Sequence, residues 1–165
     1  MINKTLACPL ASKDICEDLV IRNMKDGEEE NVMNVFKESF GDVYNREREF
    51  WRDLIDIDPT IVLVMNDEII GVSSVRTPQL TKNQSISWID LIAVDPKYRR
   101  MEFGRILLNE SENLMDKMGA KKGRLFTEVN NTEAVSFYSK HNWEVAERTE
   151  WGYKHAHRLT MEKIL

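Results

Sequence analysis

Between Ser87 and Val129 the apolar pattern reads strand, helix, strand, and this stretch limits the fold more than any other. Ser87-Trp88-Ile89-Asp90-Leu91-Ile92-Ala93-Val94 is a long strand that Pro96 closes. Leu107, Leu114, Met115 and Met118 then stripe a helix running from about Phe103 to Met118, and Gly119 stops it. Arg124 to Val129 is the next strand. A helical crossover of this kind joins parallel strands. Upstream, Ile61 to Met65 and Ile69 to Val72 flank Asn66-Asp67, which predicts an antiparallel hairpin. The two patterns together predict a mixed α/β fold of the α+β class, with a central, mostly antiparallel sheet and helices on both faces.

The remaining elements are placed by the same signals. Leu19 to Arg22 reads as a strand. A helix opens after Asp26-Gly27, carries Val32, Val35, Phe36 and Phe40 on one side, and stops at Gly41. A second helix runs from about Arg46, with Phe50, Trp51, Leu54 and Ile55 together, and Pro59 ends that region. Arg76 to Gln84, with Pro78, is expected to be a loop. Thr132 to His141 is a short helix, and Trp143 to Glu150 and His157 to Leu165 are strand-like. The first 17 residues look irregular and are expected to form a loose arm, with one domain over 18–165.

Bulk properties narrow the function class. No apolar run approaches the roughly 20 residues of a membrane span. Met1 to Lys13 lacks the apolar stretch of a signal peptide, so a cytoplasmic protein without a membrane partner is expected. The net charge of −5 disfavours nucleic acid and tolerates a cationic amine. Cys8 and Cys16 are read as free thiols in a reducing compartment, with an N-terminal disulfide as the alternative. No Cys/His cluster has metal-ligand spacing, so no metal is expected. His141, His155 and His157 are read as ordinary surface or core residues, and Trp88, Trp143 and Trp151 as packing residues.

The chemistry concentrates after Val94. Val94-Asp95-Pro96-Lys97-Tyr98-Arg99-Arg100-Met101-Glu102-Phe103-Gly104-Arg105 is a strand end, a turn and a helix N-terminus bearing three arginines. Free backbone N–H groups and the helix dipole at such a terminus bind phosphate, and arginines add charge-assisted contacts. The segment resembles the acyl-CoA motif of the GNAT superfamily of N-acetyltransferases, V-x-P-x-Y-R followed by R/Q-x-x-G-x-G/A, matching at Val94, Pro96, Tyr98, Arg99 and Gly104. Downstream, Asn131, Ala134, Phe137, Tyr138, Lys140, Asn142 and Trp143 resemble the family's second motif, N-x-x-A-x-x-L/F-Y-x-K-x-G-F. Two positions depart: Asn142 stands for a glycine before the aromatic residue, and Glu102 for the first glycine of the phosphate loop.

The resemblance implies acetyl transfer from acetyl-CoA to a primary amine by direct attack. It places pantetheine on the backbone of Ile92, Ala93 and Val94, and pyrophosphate on Arg99, Arg100, Met101, Glu102, Phe103, Gly104 and Arg105. Asn131 would touch the cofactor arm, and Tyr138 would protonate the leaving thiolate. Asp90 lies four residues before Val94 on the same strand face and is the expected base, with Glu128 a weaker rival. Glu102 also motivates a different reading, an acyl-CoA sensor or pseudoenzyme without transfer. An unrelated α+β binding module is the third. The tail lacks the tyrosine pair and acidic run associated with N-terminal protein acetyltransferases, with Trp151-Gly152-Tyr153 only an echo, so a small-molecule acceptor is slightly favoured over a protein amine. The acceptor site is expected at the two early helices and the loop near Pro78, and a homodimer is left open.

Overall fold

The computed structural model describes residues 2–10, 18–81, 84–151 and 156–165. Its strands are β1 (Asn3–Leu6), β2 (Leu19–Asn23), β3 (Thr60–Met65), β4 (Glu68–Thr81), β5 (Gln84–Val94), β6 (Lys122–Glu128), β7 (Glu144–Trp151) and β8 (Ala156–Ile164). Its helices are α1 (Glu29–Phe40), α2 (Asp42–Ile57), α3 (Phe103–Lys117) and α4 (Thr132–Lys140). The sheet order is β1-β2-β3-β4-β5-β6-β8-β7. β5 and β6 pair in parallel, which is the crossover pair read from the sequence. The mixed, mostly antiparallel α+β architecture is therefore as expected. Residues 1–75 with 91–113 form one compact unit, and 76–90 with 114–165 form a second.

In the first unit the alternation of strand side chains feeds two layers. Val62, Val64 and Val72 pack with Val32, Phe36 and Trp51 of α1 and α2. The opposite strand face meets α3, where Ser111 Oγ donates to Ser73 Oγ at 2.8 Å. Gly71 lies on that face, and a Cβ there would come within 2.7 Å of Leu107 Cδ1 and 3.3 Å of the Ala93 carbonyl oxygen. The β3–β4 turn is the tight one the sequence predicts, because Asn66 and Asp67 both adopt left-handed φ, 49° and 67°.

In the second unit β6 pairs antiparallel with β8, and β8 with β7. Trp143, 1% exposed, fills the centre. A Cβ on Gly123 would lie 3.0 Å from its indole and 3.0 Å from Met115 Sδ, so a larger residue there would require both side chains to shift by a few tenths of an ångström.

Four expectations are corrected. Residues 3–6 are not part of an irregular arm but pair with β2, Asn3 opposite Arg22 through Leu6 opposite Leu19. Their alternation is too short to register in the sequence. Arg76 to Gln84 is not a loop, because β4 runs on to Thr81 and β5 begins at Gln84. The β3 ladder ends at Thr60 opposite Ser74, so Pro78 lies beyond it, where a missing N–H costs no bond to β3. Helix α2 starts at Asp42 instead of about Arg46, since Gly41 alone (φ 51°) separates it from α1. Cys8 is disulfide-bonded, not a free thiol. The other cysteine of the sequence, Cys16, lies outside the described residues.

Candidate functional site

The first unit carries the predicted phosphate loop. Asp95, 7% exposed, accepts from the Lys97 N–H at 2.9 Å and caps a single 3-10 turn over Pro96–Tyr98. Its own N–H donates to the Ile70 carbonyl at 2.9 Å, which ties the strand end to β4. Arg99 returns to extended backbone. Arg100 (φ 60°) and Glu102 (φ 67°) then flank Met101 in the left-handed region. Glu102's carbonyl accepts from Ile106 N–H at 3.1 Å, so Glu102 is the N-cap and α3 starts immediately after it. The N–H groups of Phe103, Gly104 and Arg105 are the helix's first, which have no intrahelical acceptor.

The three arginines have different surroundings. Arg99 Nε donates to the Val94 carbonyl at 3.3 Å, and its Nη2 to the Ser39 carbonyl at 3.1 Å. Ser39 Oγ also donates to the Val94 carbonyl, at 3.2 Å. Arg99 therefore braces the loop against the end of α1, a part that Ser39, 60 residues earlier, gave no sequence signal for. Arg105 Nε meets Glu102 Oε2 at 2.6 Å, both side chains largely exposed. Arg100 is exposed. Tyr98 OH donates to Glu68 at 3.2 Å, and burial, then Glu68, hold its pKa above the usual tyrosine value.

Glu102 occupies a backbone conformation that suits glycine, at a cost of about 1–2 kcal/mol for an L-residue. The Arg105 pair returns about 1 kcal/mol or less at such exposure. A carboxylate about 6 Å from a phosphate would cost roughly 3 kcal/mol before salt screening. Glu102→Gly is therefore expected to tighten acetyl-CoA binding about fivefold or more at low salt, with a smaller gain at high salt. Calorimetric titration at two ionic strengths measures this, and weaker binding by the glycine variant would show that Glu102 organises the loop.

The second unit carries the predicted acid and base. Tyr138 lies on α4, 7% exposed, with Phe137 and Trp143 ring centroids at 5.2 and 6.3 Å. Burial pushes its pKa well above the ordinary tyrosine value, so the hydroxyl stays protonated at neutral pH. Asn131 is the N-cap of α4: its Oδ1 accepts from Ala134 N–H at 3.1 Å. Asn142 adopts φ 64°, the left-handed conformation expected where the motif has glycine.

Asp90 is not an open base. Its carboxylate, 7% exposed, binds Arg76 through both oxygens, with Nε to Oδ2 at 2.9 Å. No sequence signal marks Arg76 as its partner, because the pairing follows from the extension of β4 to Thr81. Glu128 is exposed and faces Arg158 in the β6–β8 register. Trp88 stacks on Phe126 at 4.5 Å, with the Arg76 and Arg124 guanidinium carbons 6.0 and 5.8 Å from its ring. His141 packs against Phe137 at 4.9 Å and His157 lies on β8, whereas His155 lies outside the described residues, as do Gly152 and Tyr153. Among the described residues no three His, Cys, Asp or Glu side chains gather as metal ligands, and no helix is long and apolar enough to cross a membrane. The β5–β6 register runs from Ile86 opposite Lys122 to Ile89 opposite Leu125, five residues short of the β5 end at Val94. The backbone of Ile92, Ala93 and Val94 thus lies outside that ladder.

The chain is thus an α+β protein in which a strand end feeds an arginine-bearing helix N-terminus, a kind of terminus that suits anionic groups such as phosphate. The family model of the Acetyltransferase (GNAT) family matches residues 29–143, and the chain belongs to that family. It is an acetyl-CoA-dependent N-acetyltransferase, with acetyl-CoA as co-substrate. Among curated relatives, N-alpha-acetyltransferase 50 of Danio rerio is 26% identical over 139 residues, spanning 83% of this chain and 78% of the relative. Two solved structures share the fold. Arabidopsis thaliana Naa50 in complex with the bisubstrate analogue CoA-Ac-MVNAL has a TM-score of 0.73 at 19% identity, covering 89% of this chain and 99% of that one. A GNAT family acetyltransferase of Elizabethkingia anophelis with acetyl-CoA bound has a TM-score of 0.70 at 15% identity, covering 89% and 98%.

Proposed function

We propose that the acceptor is the α-amine of a peptide or protein N-terminus, and that residues 18–165 act as one acetyltransferase domain. The observation that carries the acceptor class is the Arg76–Asp90 pair. With both carboxylate oxygens held by a guanidinium, Asp90 must break that pair to accept a proton, so its geometry suits positioning Arg76 instead of general base work. A carboxylate so held is a poor base toward a protonated amine, and this favours an amine that is already neutral. At pH 7 about one α-amine in seven is neutral, against about one lysine in 2,500. The zebrafish relative's name and the peptide analogue bound to Naa50 support the same class. The sequence's slight preference for a small-molecule amine rests on the tail's lack of a tyrosine pair and acidic run, and of its echo Gly152 and Tyr153 lie outside the described residues. The cytoplasmic setting stays part of this proposal, although the disulfide at Cys8 is more at home in an oxidising compartment.

In the proposed site, acetyl-CoA supplies the acetyl thioester. The backbone of Ile92, Ala93 and Val94 would hold pantetheine. The N–H groups over residues 99–105, with Arg100 and Arg105, would hold pyrophosphate, and Asn131 would offer its Nδ2 to the arm while Oδ1 caps α4. The amine nitrogen bonds to the carbonyl carbon, the carbon–sulfur bond breaks, the amine proton leaves to water, and Tyr138 hands its proton to the thiolate.

Two measurements test this. Thiol release should be rapid with peptides bearing a free N-terminus and near background with N-terminally blocked peptides carrying an internal lysine. Faster turnover of a polyamine or an aminoglycoside would overturn the acceptor assignment. Separately, Arg100→Ala combined with Arg105→Ala should weaken acetyl-CoA binding by about 100-fold or more, since hydrogen bonds to charged groups contribute about 1.5–3 kcal/mol each. Unchanged affinity by calorimetry would move the phosphate site elsewhere.

A further inference from the structure

Helix α2 has more apolar surface than its own core uses. Tyr44, Trp51 and Ile55 are its buried face. Val43, Phe50 and Ile57, spaced seven apart, are 39%, 57% and 78% exposed. At 3.6 residues per turn these three fall within about 40° of one another, about 120° round the helix from the buried set. Half-buried Leu54 lies between the two sets. One stripe suffices to attach a helix to its own domain. A second stripe, on one edge of a charged helix, is surface for a partner.

The charges beside the stripe indicate which partner. Arg46 and Asp53 are exposed on its solvent side, four residues before Phe50 and three after it. Among the described residues neither forms an ion pair, the α2 pairs being those of Arg48 and Arg52. The basic Arg48 and Arg52 point elsewhere, to Glu30 of α1. When a helix packs antiparallel on a copy of itself, the two-fold axis keeps each flank against the same flank of the other copy and reverses the direction along the helix. Crossing at Phe50, Arg46 then comes level with the partner's Asp53 to within about 1.5 Å along the axis, twice by symmetry. Phe50 meets the partner's Phe50, and Val43 meets the partner's Ile57. The stripe is thus complementary to itself in shape and in charge.

We propose that Val43, Phe50 and Ile57 of α2 form a homodimer contact, two copies of the helix pairing antiparallel with Arg46 against the partner's Asp53. The inference rests on α2 alone and is independent of the acceptor assignment. One helix of 16 residues is about 24 Å long. A single such pair is small beside the roughly 1,200–2,000 Å² of a stable complex, so the dimer should be dissociable, in the micromolar range.

Sedimentation equilibrium of the full chain should show the mass rising from the 19.3 kDa monomer toward twice that value with concentration. Phe50→Asp should abolish the rise. Arg46→Asp and Asp53→Arg should each weaken the dimer about tenfold or more, and the two together should restore it to within about threefold of wild type. All four variants should keep the wild-type unfolding midpoint, because the substituted side chains are exposed. A wild-type chain that stays monomeric at hundreds of micromolar would overturn the proposal and leave the stripe to a different protein. So would a dimer that survives Phe50→Asp, or a charge-swapped double variant that does not recover.

Discussion

Tyr138→Phe is expected to lower turnover by about 100-fold or more while leaving acetyl-CoA affinity within about twofold. A 100-fold loss corresponds to about 2.7 kcal/mol of transition-state stabilisation. That figure suits the removal of one positioned proton donor and exceeds what a packing change would produce, because phenylalanine keeps the ring against Phe137 and Trp143. The burial that raises the Tyr138 pKa keeps the acid loaded, so this group should cause no alkaline loss of turnover between about pH 6 and 9. Steady-state rates with acetyl-CoA and a free-N-terminus peptide, together with calorimetry, measure both parts. A variant that turns over at the wild-type rate would mean that water or another residue protonates the thiolate. A variant that loses cofactor affinity equally would assign Tyr138 to binding.

Trp143→Ala is expected to destabilise the protein by about 3–5 kcal/mol, the usual cost of truncating a buried large aromatic residue. The side chain is 1% exposed and fills the space that Gly123 leaves open. Its backbone N–H also donates to the Tyr138 carbonyl at 3.1 Å, directly after the left-handed Asn142. The contact with Tyr138 should carry the loss into catalysis, since the acid's ring is positioned partly by this indole. For a chain of this size the expected fall in unfolding midpoint is about 6–20 °C. Thermal unfolding followed by circular dichroism tests it. A shift of only a few degrees would mean that Met115 and Leu165 collapse into the vacated space.

What the sequence reported well was local. Asn66, Asp67 and Asn142 are residues that tolerate positive φ, and they adopt it. Gly41 and Gly119 end the helices at the positions where they stand, both with positive φ. The strand-helix-strand period over 87–129 became the parallel β5–β6 pair and its crossover α3, because periodicity depends only on which face of each element is buried. The segments of the two motifs took the backbone paths read for them, a turn before α3 and the short helix α4, for the same reason: each path follows from the segment's own residues.

The remainder depended on which distant residues meet. Asp90 looked like a base because a strand-face argument gives its direction, yet Arg76 on β4 takes both of its oxygens. That partner is 14 residues away, and strand pairing brings it near. Arg99 looked like a phosphate ligand, yet the carbonyls of Val94 and Ser39 hold it, and Ser39 lies in a separate helix. Pro78 read as a loop because proline lacks a donor, but the missing bond is harmless where β3 has already ended. The sequence by itself thus determined most of the elements from Leu19 onward, their order and the kind of chemistry, since torsional preference and periodicity act over a few residues. Tertiary structure alone decided which charges are free to act, because a charge is committed or available according to what register and packing place beside it.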